Sequence, residues 1–203
     1  MEAFLQVSGV AAALPQAHLD TDQIMPKQFL KGIDRQGLSR GFLFDLRFSA
    51  PGQERADFVL NRAPWRQAAI LLTGPNFGCG SSREHAVWGL RELGLRCVIG
   101  TSFGGIFADN CARNGVPAIS VEAPALERLM ALASHPATCE MRVDLQACTI
   151  TTPADGQVLP FAFDPLRRHM LLNGLDAVGL TLEHEADIAR FELQHLSAQP
   201  WLA

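Results

Sequence analysis

Residues 74–86 read Gly-Pro-Asn-Phe-Gly-Cys-Gly-Ser-Ser-Arg-Glu-His-Ala, and they crowd two hydroxyls, a guanidinium and three glycines into one short stretch. Gly74, Gly78 and Gly80 let a backbone bend sharply and come close to a ligand. Arg83 offers a planar, bidentate clamp for a carboxylate or phosphate. Ser81 and Ser82 add donors beside it. Ser81 to Glu84 fits a capping box, a hydroxyl residue with Glu three positions on. Amides at a helix start favour an anion there. The chemistry that fits this set is binding of a carboxylate-bearing substrate next to a serine that can become a base.

Such a turn needs elements on both sides. The apolar run Ala68-Ala69-Ile70-Leu71-Leu72 precedes it and reads as a strand. Val87, Leu90 and Leu93 follow on one helical face. The unit is strand, glycine-rich turn, helix. No Gly-Lys-Ser/Thr follows at Walker A spacing, and Ser81 and Ser82 do not sit in Gly-x-Ser-x-Gly. Dinucleotide spacing fails too, because position 83 is Arg. On these residues alone, a tight turn with Ser81 as helix cap and Arg83 as a surface ion-pair partner of Glu84 or Glu92 accounts for the stretch equally well.

The block Asn76-Phe77-Gly78-Cys79-Gly80-Ser81-Ser82-Arg83-Glu84-His85-Ala86 resembles the signature of the aconitase-type swivelling domain. Further segments narrow the resemblance to the small-subunit family of 3-isopropylmalate dehydratase. They are Asp20-Thr21-Asp22-Gln23-Ile24 with Pro26-Lys27-Gln28-Phe29-Leu30-Lys31, Asp57-Phe58-Val59-Leu60-Asn61, and Ser102-Phe103 with Ile106-Phe107 and Asn110. Asp164-Pro165, Leu171-Leu172-Asn173-Gly174-Leu175-Asp176 and Gly179-Leu180-Thr181-Leu182 complete the set, so the resemblance runs from about Phe4 to Trp201.

The resemblance implies reversible dehydration of a hydroxy diacid, with Ser81 taking a proton from carbon. It implies Ser82 and Arg83 on a substrate carboxylate, and Leu30 and Lys31 in a substrate-recognition loop over about residues 26–40. Related enzymes often carry Arg where Lys31 stands, and Lys keeps the charge but loses the fork. Gly78, Gly80, Glu84 and His85 are supporting residues in this reading. It also implies a large-subunit partner that carries a [4Fe–4S] cluster, in a heterodimer or heterotetramer, with no cofactor or metal bound by this chain. Asp20, Thr21 and Asp22 read as loop-fixing groups that make Asx-type hydrogen bonds. Arg167, Arg168 and His169 read as helix-end charges or as contacts between subunits.

Composition is that of a globular protein able to build a core. The 203 residues are 48% hydrophobic and 19% charged, with a net charge of −4 that gives no reason to expect nucleic acid or an anionic membrane. No apolar run approaches the roughly twenty residues of a membrane span. The N-terminus has an early acid and no basic region, so no signal peptide is expected. Cys79, Cys97, Cys111, Cys139 and Cys148 are odd in number and form no Cys-x-x-Cys, which disfavours a disulfide framework, a zinc site or an iron–sulfur site. A reducing cytoplasm is the expected setting.

Periodicity predicts strands over 4–10, 68–73, 96–100 and 117–121 and helices over 82–93, 104–113 and 124–134. These are βαβ units with parallel strands. Residues 140–145, 148–152 and 157–163 alternate as added strands, with Asp155-Gly156 as a hairpin turn. Residues 14–24 read as a polar loop, 26–31 as a short helix with Pro26 in its first turn, and 32–57 as an excursion. Asp164 caps a helix that Gly174 ends, and an amphipathic helix covers about 183–196. The expected fold is α/β, one domain over 1–203, with a parallel βαβ core and additional hairpin strands. The resemblance names this the swivelling β/β/α fold. Competing functions are a paralogous hydro-lyase acting on citramalate, dimethylmalate or another hydroxy diacid, a non-catalytic carboxylate-binding module, and a serine hydrolase using Ser81.

Overall fold

The computed structural model describes residues 1–31 and 35–202. In chain order the strands are β1 (Gln6–Leu14), β2 (Phe48–Ala50), β3 (Gln53–Glu54), β4 (Ile70–Thr73), β5 (Cys97–Gly100), β6 (Ala118–Ser120), β7 (Glu140–Asp144), β8 (Thr149–Thr152) and β9 (Gln157–Pro160). The helices are α1 (Thr21–Ile24), α2 (Phe44–Arg47), α3 (His85–Glu92), α4 (Gly105–Arg113), α5 (Ala123–Ala133), α6 (Pro165–Asn173), α7 (Ala177–Leu182) and α8 (Glu185–Ala198).

Seven strands form one sheet in the order β6-β5-β4-β1-β7-β8-β9. The first four are parallel: β1 pairs with β4, β4 with β5, and β5 with β6. β7 runs antiparallel to β1, and β7, β8 and β9 continue as an antiparallel meander. β2 and β3 make a separate small hairpin in the predicted excursion. The predicted βαβ core and added strands are therefore present, joined in one sheet.

Side chains of successive strand residues face opposite sides, and this divides the core in two. Ala12, Leu14, Leu71 and Val98 pack with Ile24, Met25, Phe42, Phe77, Val87, Leu90 and Phe107 on one face. Ala11, Ile70, Leu72 and Ile99 pack with Leu126, Leu129, Ala133, Met141, Val143, Ile150 and Leu171 on the other. The central parallel strands β4 and β5 are buried throughout, hence their continuous apolar runs, whereas β1 is buried only toward its C-terminal end and the edge strand β6 only at Ile119. β7 is covered on one side only, and its residues alternate exposed and buried.

Several local expectations shift. The first strand lies at Gln6–Leu14, later than 4–10, because its last residues pair with β4 while its first pair with β7. The polar loop 14–24 contains α1, built on a capping box in which Asp20 accepts from the Gln23 amide and Gln23 answers to the Asp20 amide. Pro26 is the N-cap of a 3₁₀ turn at Lys27–Phe29, not a first-turn residue. Asp164 and Gly174 cap α6 as expected, with Gly174 at φ +67°.

The largest correction is at Ser81. α3 begins at His85, its N-cap residue is Glu84, and no side chain caps it. The expected capping box of Ser81 and Glu84 is absent, because the 81–84 segment is held by distant residues. The last helix lies two residues later than expected, at Glu185–Ala198, and α7 precedes it. α7 and α8 bury no residue.

Candidate functional site

β4 lies between two parallel neighbours, so the loops that leave the C-terminal ends of β1, β4 and β5 share one edge of the sheet. This is where open α/β sheets place their ligands. The glycine-rich turn after β4 is clamped between the other two. On the β1 side, the His18 amide donates to the Pro75 carbonyl at 2.9 Å, Gly78 to Leu19 at 2.8 Å, and Thr21 to Cys79 at 2.8 Å. On the β5 side, the Asn76 amide donates to the Ser102 hydroxyl at 2.9 Å and the Gly104 amide to the Phe77 carbonyl at 2.9 Å.

Gly78 is where this clamp demands glycine. Its φ is +74°, and a Cβ there would stand 2.2 Å from Cγ of Phe107. Phe107 is itself buried and meets Phe77 edge-on, with ring centroids 5.3 Å apart. The turn therefore rests on an aromatic floor that leaves no room for a side chain.

Beyond Gly80 the chain rises to the surface, and Ser81 and Ser82 are exposed. The Ser81 amide donates to Thr21 Oγ1 at 3.0 Å, and the Ser81 and Thr21 hydroxyl oxygens are 3.1 Å apart. Thr21 is 1% exposed. The Arg83 amide turns back to the Ser81 carbonyl at 2.9 Å. Its guanidinium donates through Nη1 to the Asp22 carboxylate. The ion-pair partner is thus Asp22, and neither Glu84 nor Glu92 pairs with Arg83 among the described residues. Nε and Nη2 of Arg83 make no hydrogen bond among the described residues, which leaves part of the fork for a ligand.

The supporting residues divide. The Glu84 carboxylate accepts from Asn114 Nδ2 at 2.7 Å, and Asn114 in turn accepts from Trp88 Nε1 at 3.0 Å. Glu84 therefore ties α3 to the end of α4. The His85 ring lies 4.6 Å from that of Trp88. Cys79 is half-buried, with its thiol 3.6 Å from the His18 carbonyl.

The loop expected to recognise substrate is less closely tied to the turn. Leu30 is half-buried against the core, and Lys31 is exposed. Lys31 lines a cleft of about 270 Å³ with Gln28, Phe29, Gln36, Gly37, Leu38 and Arg40. No hydrogen bond or ion pair joins Leu30 or Lys31 to Ser81 among the described residues. Gly32, Ile33 and Asp34, within the predicted 26–40 loop, lie outside the described residues. Past them, the Gly37 and Ser39 amides donate to Glu92 at 2.5 and 2.6 Å, which fixes the far end of the loop to α3.

Arg167 pairs with Asp109, Arg168 donates to the Leu145 and Gln146 carbonyls, and His169 meets Glu183. These three side chains serve intrachain contacts. Thr21 and Asp22, read from sequence as loop-fixing, turn out to touch Ser81 and Arg83. The only signal for this was their place in the resembling segment. Among the described residues, no group of three or more His, Cys, Asp or Glu side chains is placed to hold a metal, and no helix is long and apolar enough to cross a membrane.

Comparison with known proteins agrees with this layout. The family described as aconitase C-terminal domain matches residues 1–124. The family described as the C-terminal domain of the 3-isopropylmalate dehydratase small subunit matches residues 178–203, and LeuD_N matches 127–165. "3-isopropylmalate dehydratase small subunit 2" of Salmonella typhimurium is 52% identical over 202 residues, covering 100% of this chain and 96% of the relative. The "3-isopropylmalate dehydratase small subunit" of Cereibacter sphaeroides is 49% identical, with 100% of each chain covered. A solved structure titled 3-isopropylmalate dehydratase, from Methanocaldococcus jannaschii, superposes with a TM-score of 0.67 at 22% identity, over 92% of this chain and 99% of its own, and so shares the fold. With full-length identity near one half, and with the glycine-rich turn clamped at the sheet edge, this chain belongs to the family of 3-isopropylmalate dehydratase small subunits.

Proposed function

We propose that this chain works as the small subunit of a two-subunit hydro-lyase and interconverts 2- and 3-isopropylmalate in leucine biosynthesis. The observation that carries the reading is the exposed Ser81 turn, whose hydroxyl is held against buried Thr21 while Arg83 projects beside it. A carboxylate of the substrate enters the open side of the Arg83 fork and the Ser82 hydroxyl. Ser81, as its alkoxide, takes the proton from the carbon beside a carboxylate. The electron pair of that C–H bond forms the double bond as hydroxide leaves the neighbouring carbon. Hydroxide adds back to the carbon that lost its proton, and Ser81 returns its proton to the carbon that lost the hydroxide. As negative charge grows on the carboxylate, Arg83 and Ser82 bind it more strongly. This preference for the transition state is what accelerates the step.

Ser81 and Ser82 lie open on the surface, so this chain supplies one wall of the site. Departure of hydroxide needs a Lewis acid, and the described residues offer no ligand set for a metal cluster. In this reading the large subunit brings a [4Fe–4S] group and the opposite wall. The test is co-expression with a large subunit under anaerobic conditions, followed by assay on isopropylmalate, with citramalate as the competing substrate. Ser81→Ala in the assembled complex is expected to lose several orders of magnitude in kcat. Turnover near the wild-type rate would remove Ser81 from the chemistry.

A further inference from the structure

We infer that Thr21 is a positioning residue for Ser81, and that it donates the hydrogen bond which makes the serine a usable base. This rests on the reading of Ser81 as the proton acceptor. Thr21 Oγ1 accepts the Ser81 amide at 3.0 Å, so its lone pairs are engaged from that side. Its single proton then has Ser81 Oγ, 3.1 Å away, as its one acceptor among the described residues. A serine that has lost its proton can only accept, so the shared hydrogen must come from Thr21. Hydrogen bonds to a charged oxygen are the strong ones, and water does not compete for a hydroxyl on a residue that is 1% exposed.

The surroundings hold this threonine in place. Its amide donates to the Cys79 carbonyl at 2.8 Å, and its carbonyl accepts the Met25 amide at 3.0 Å. The Asp20–Gln23 capping box locks the turn that presents it. Gly80, at φ +96°, would place a Cβ 3.3 Å from Thr21 Oγ1, so glycine there leaves the hydroxyl its position. The same Thr21 oxygen fixes both the Ser81 backbone and its side chain. One residue, sixty positions upstream, thereby sets the direction of the base.

The experiment uses the complex reconstituted from both subunits and carrying Thr21→Val, Thr21→Ser, Ser81→Ala, and Ser81→Ala with Thr21→Val. Thr21→Val keeps the shape and removes the donor, and it is expected to lower kcat about 10- to 100-fold with KM nearly unchanged. The rising limb of kcat against pH should move to higher pH, because an alkoxide without its donor is harder to form. Thr21→Ser should restore most of the rate. Added to Ser81→Ala, Thr21→Val should cost nothing further, since it acts through a group already removed. Thr21→Ala is judged by the same criteria if Thr21→Val does not assemble. In the isolated chain, hydrogen exchange at the Ser81 amide should be slow in wild type and Thr21→Ser and faster in the Val or Ala variant. Wild-type kcat in the donor-less variant, failure of Thr21→Ser to restore it, equal amide exchange in all variants, or an undiminished loss on the Ser81→Ala background would each overturn the proposal. A silent Ser81→Ala overturns the base itself, whereas an inactive Ser81→Ala beside a fully active Thr21→Val overturns Thr21 alone.

Discussion

Arg83 is engaged on one side by Asp22, and its other donors make no hydrogen bond among the described residues, which is the state expected of a clamp positioned before its ligand arrives. Arg83→Lys keeps the charge and loses the fork. kcat/KM is expected to fall about 10- to 100-fold in steady-state kinetics, the size of a lost charge-assisted hydrogen bond. Lys31 is exposed and contacts the Ser81 turn through no hydrogen bond or ion pair among the described residues, so it would bind the substrate equally in ground and transition states. Lys31→Ala should therefore raise KM and leave kcat in place, and an unchanged KM would take Lys31 out of the recognition loop's work. The cysteines separate by burial. Cys97 and Cys111 are buried, and desolvation pushes both thiols far above their ordinary range, whereas Cys79 and Cys148 are half-buried. Alkylation of the native chain followed by mass spectrometry should modify Cys79 and Cys148 first, with Cys97 and Cys111 reacting only on unfolding.

At the scale of elements, the turn after β4 depends on glycine at position 78. Gly78→Ala must hold an alanine at φ +74° and press its Cβ into the Phe107 ring. The left-handed strain and the overpacking together should cost roughly 2–5 kcal/mol in denaturant unfolding. The β8–β9 hairpin depends on a carboxylate. The Thr152 hydroxyl holds the Asp155 carboxyl below its usual range, and the Gln157 amide and the Arg128 ion pair add to this. A depressed folded-state pKa gives stability that is present above the unfolded value and is lost as pH falls through the folded one. Asp155→Asn should thus narrow the difference in melting temperature between neutral and acid solution.

At the scale of the whole molecule, the sheet and its two covering layers hold the core, while the chain after Leu175 runs along the outside. α7 and α8 bury no residue, and Phe191, Leu193 and Trp201 are 63%, 72% and 76% exposed. Truncation after Leu175 removes exposed helix and the His169–Glu183 pair, whose partners are both near half-exposed. Such surface contacts contribute about 1 kcal/mol or less, so the melting transition of residues 1–175 should stay close to that of the full chain. A large drop would mean that these helices stabilise the sheet.

Local chemistry is legible in the residues themselves. Strand burial on both faces follows from runs such as Ile70-Leu71-Leu72, the α6 caps from Asp164 and Gly174, and the tight turn from Gly78 and Gly80, because each depends on neighbours a few positions away. The block from Asn76 to Ala86 marked the candidate site through its resemblance to a family signature. What it could not disclose was how Ser81 is used. Four residues with the right spacing for a capping box form none, because the Ser81 amide goes to Thr21 and the 81–84 segment is shaped by that bond, with α3 starting only at His85. Likewise, the partner of Arg83 is Asp22 and not the nearby Glu84 or Glu92. Both contacts span about sixty residues and exist only because β1 and β4 lie side by side and in parallel, which sets their C-terminal loops against each other. Periodicity reports which face of a strand is buried; which strand lies next to it is decided by the folded sheet.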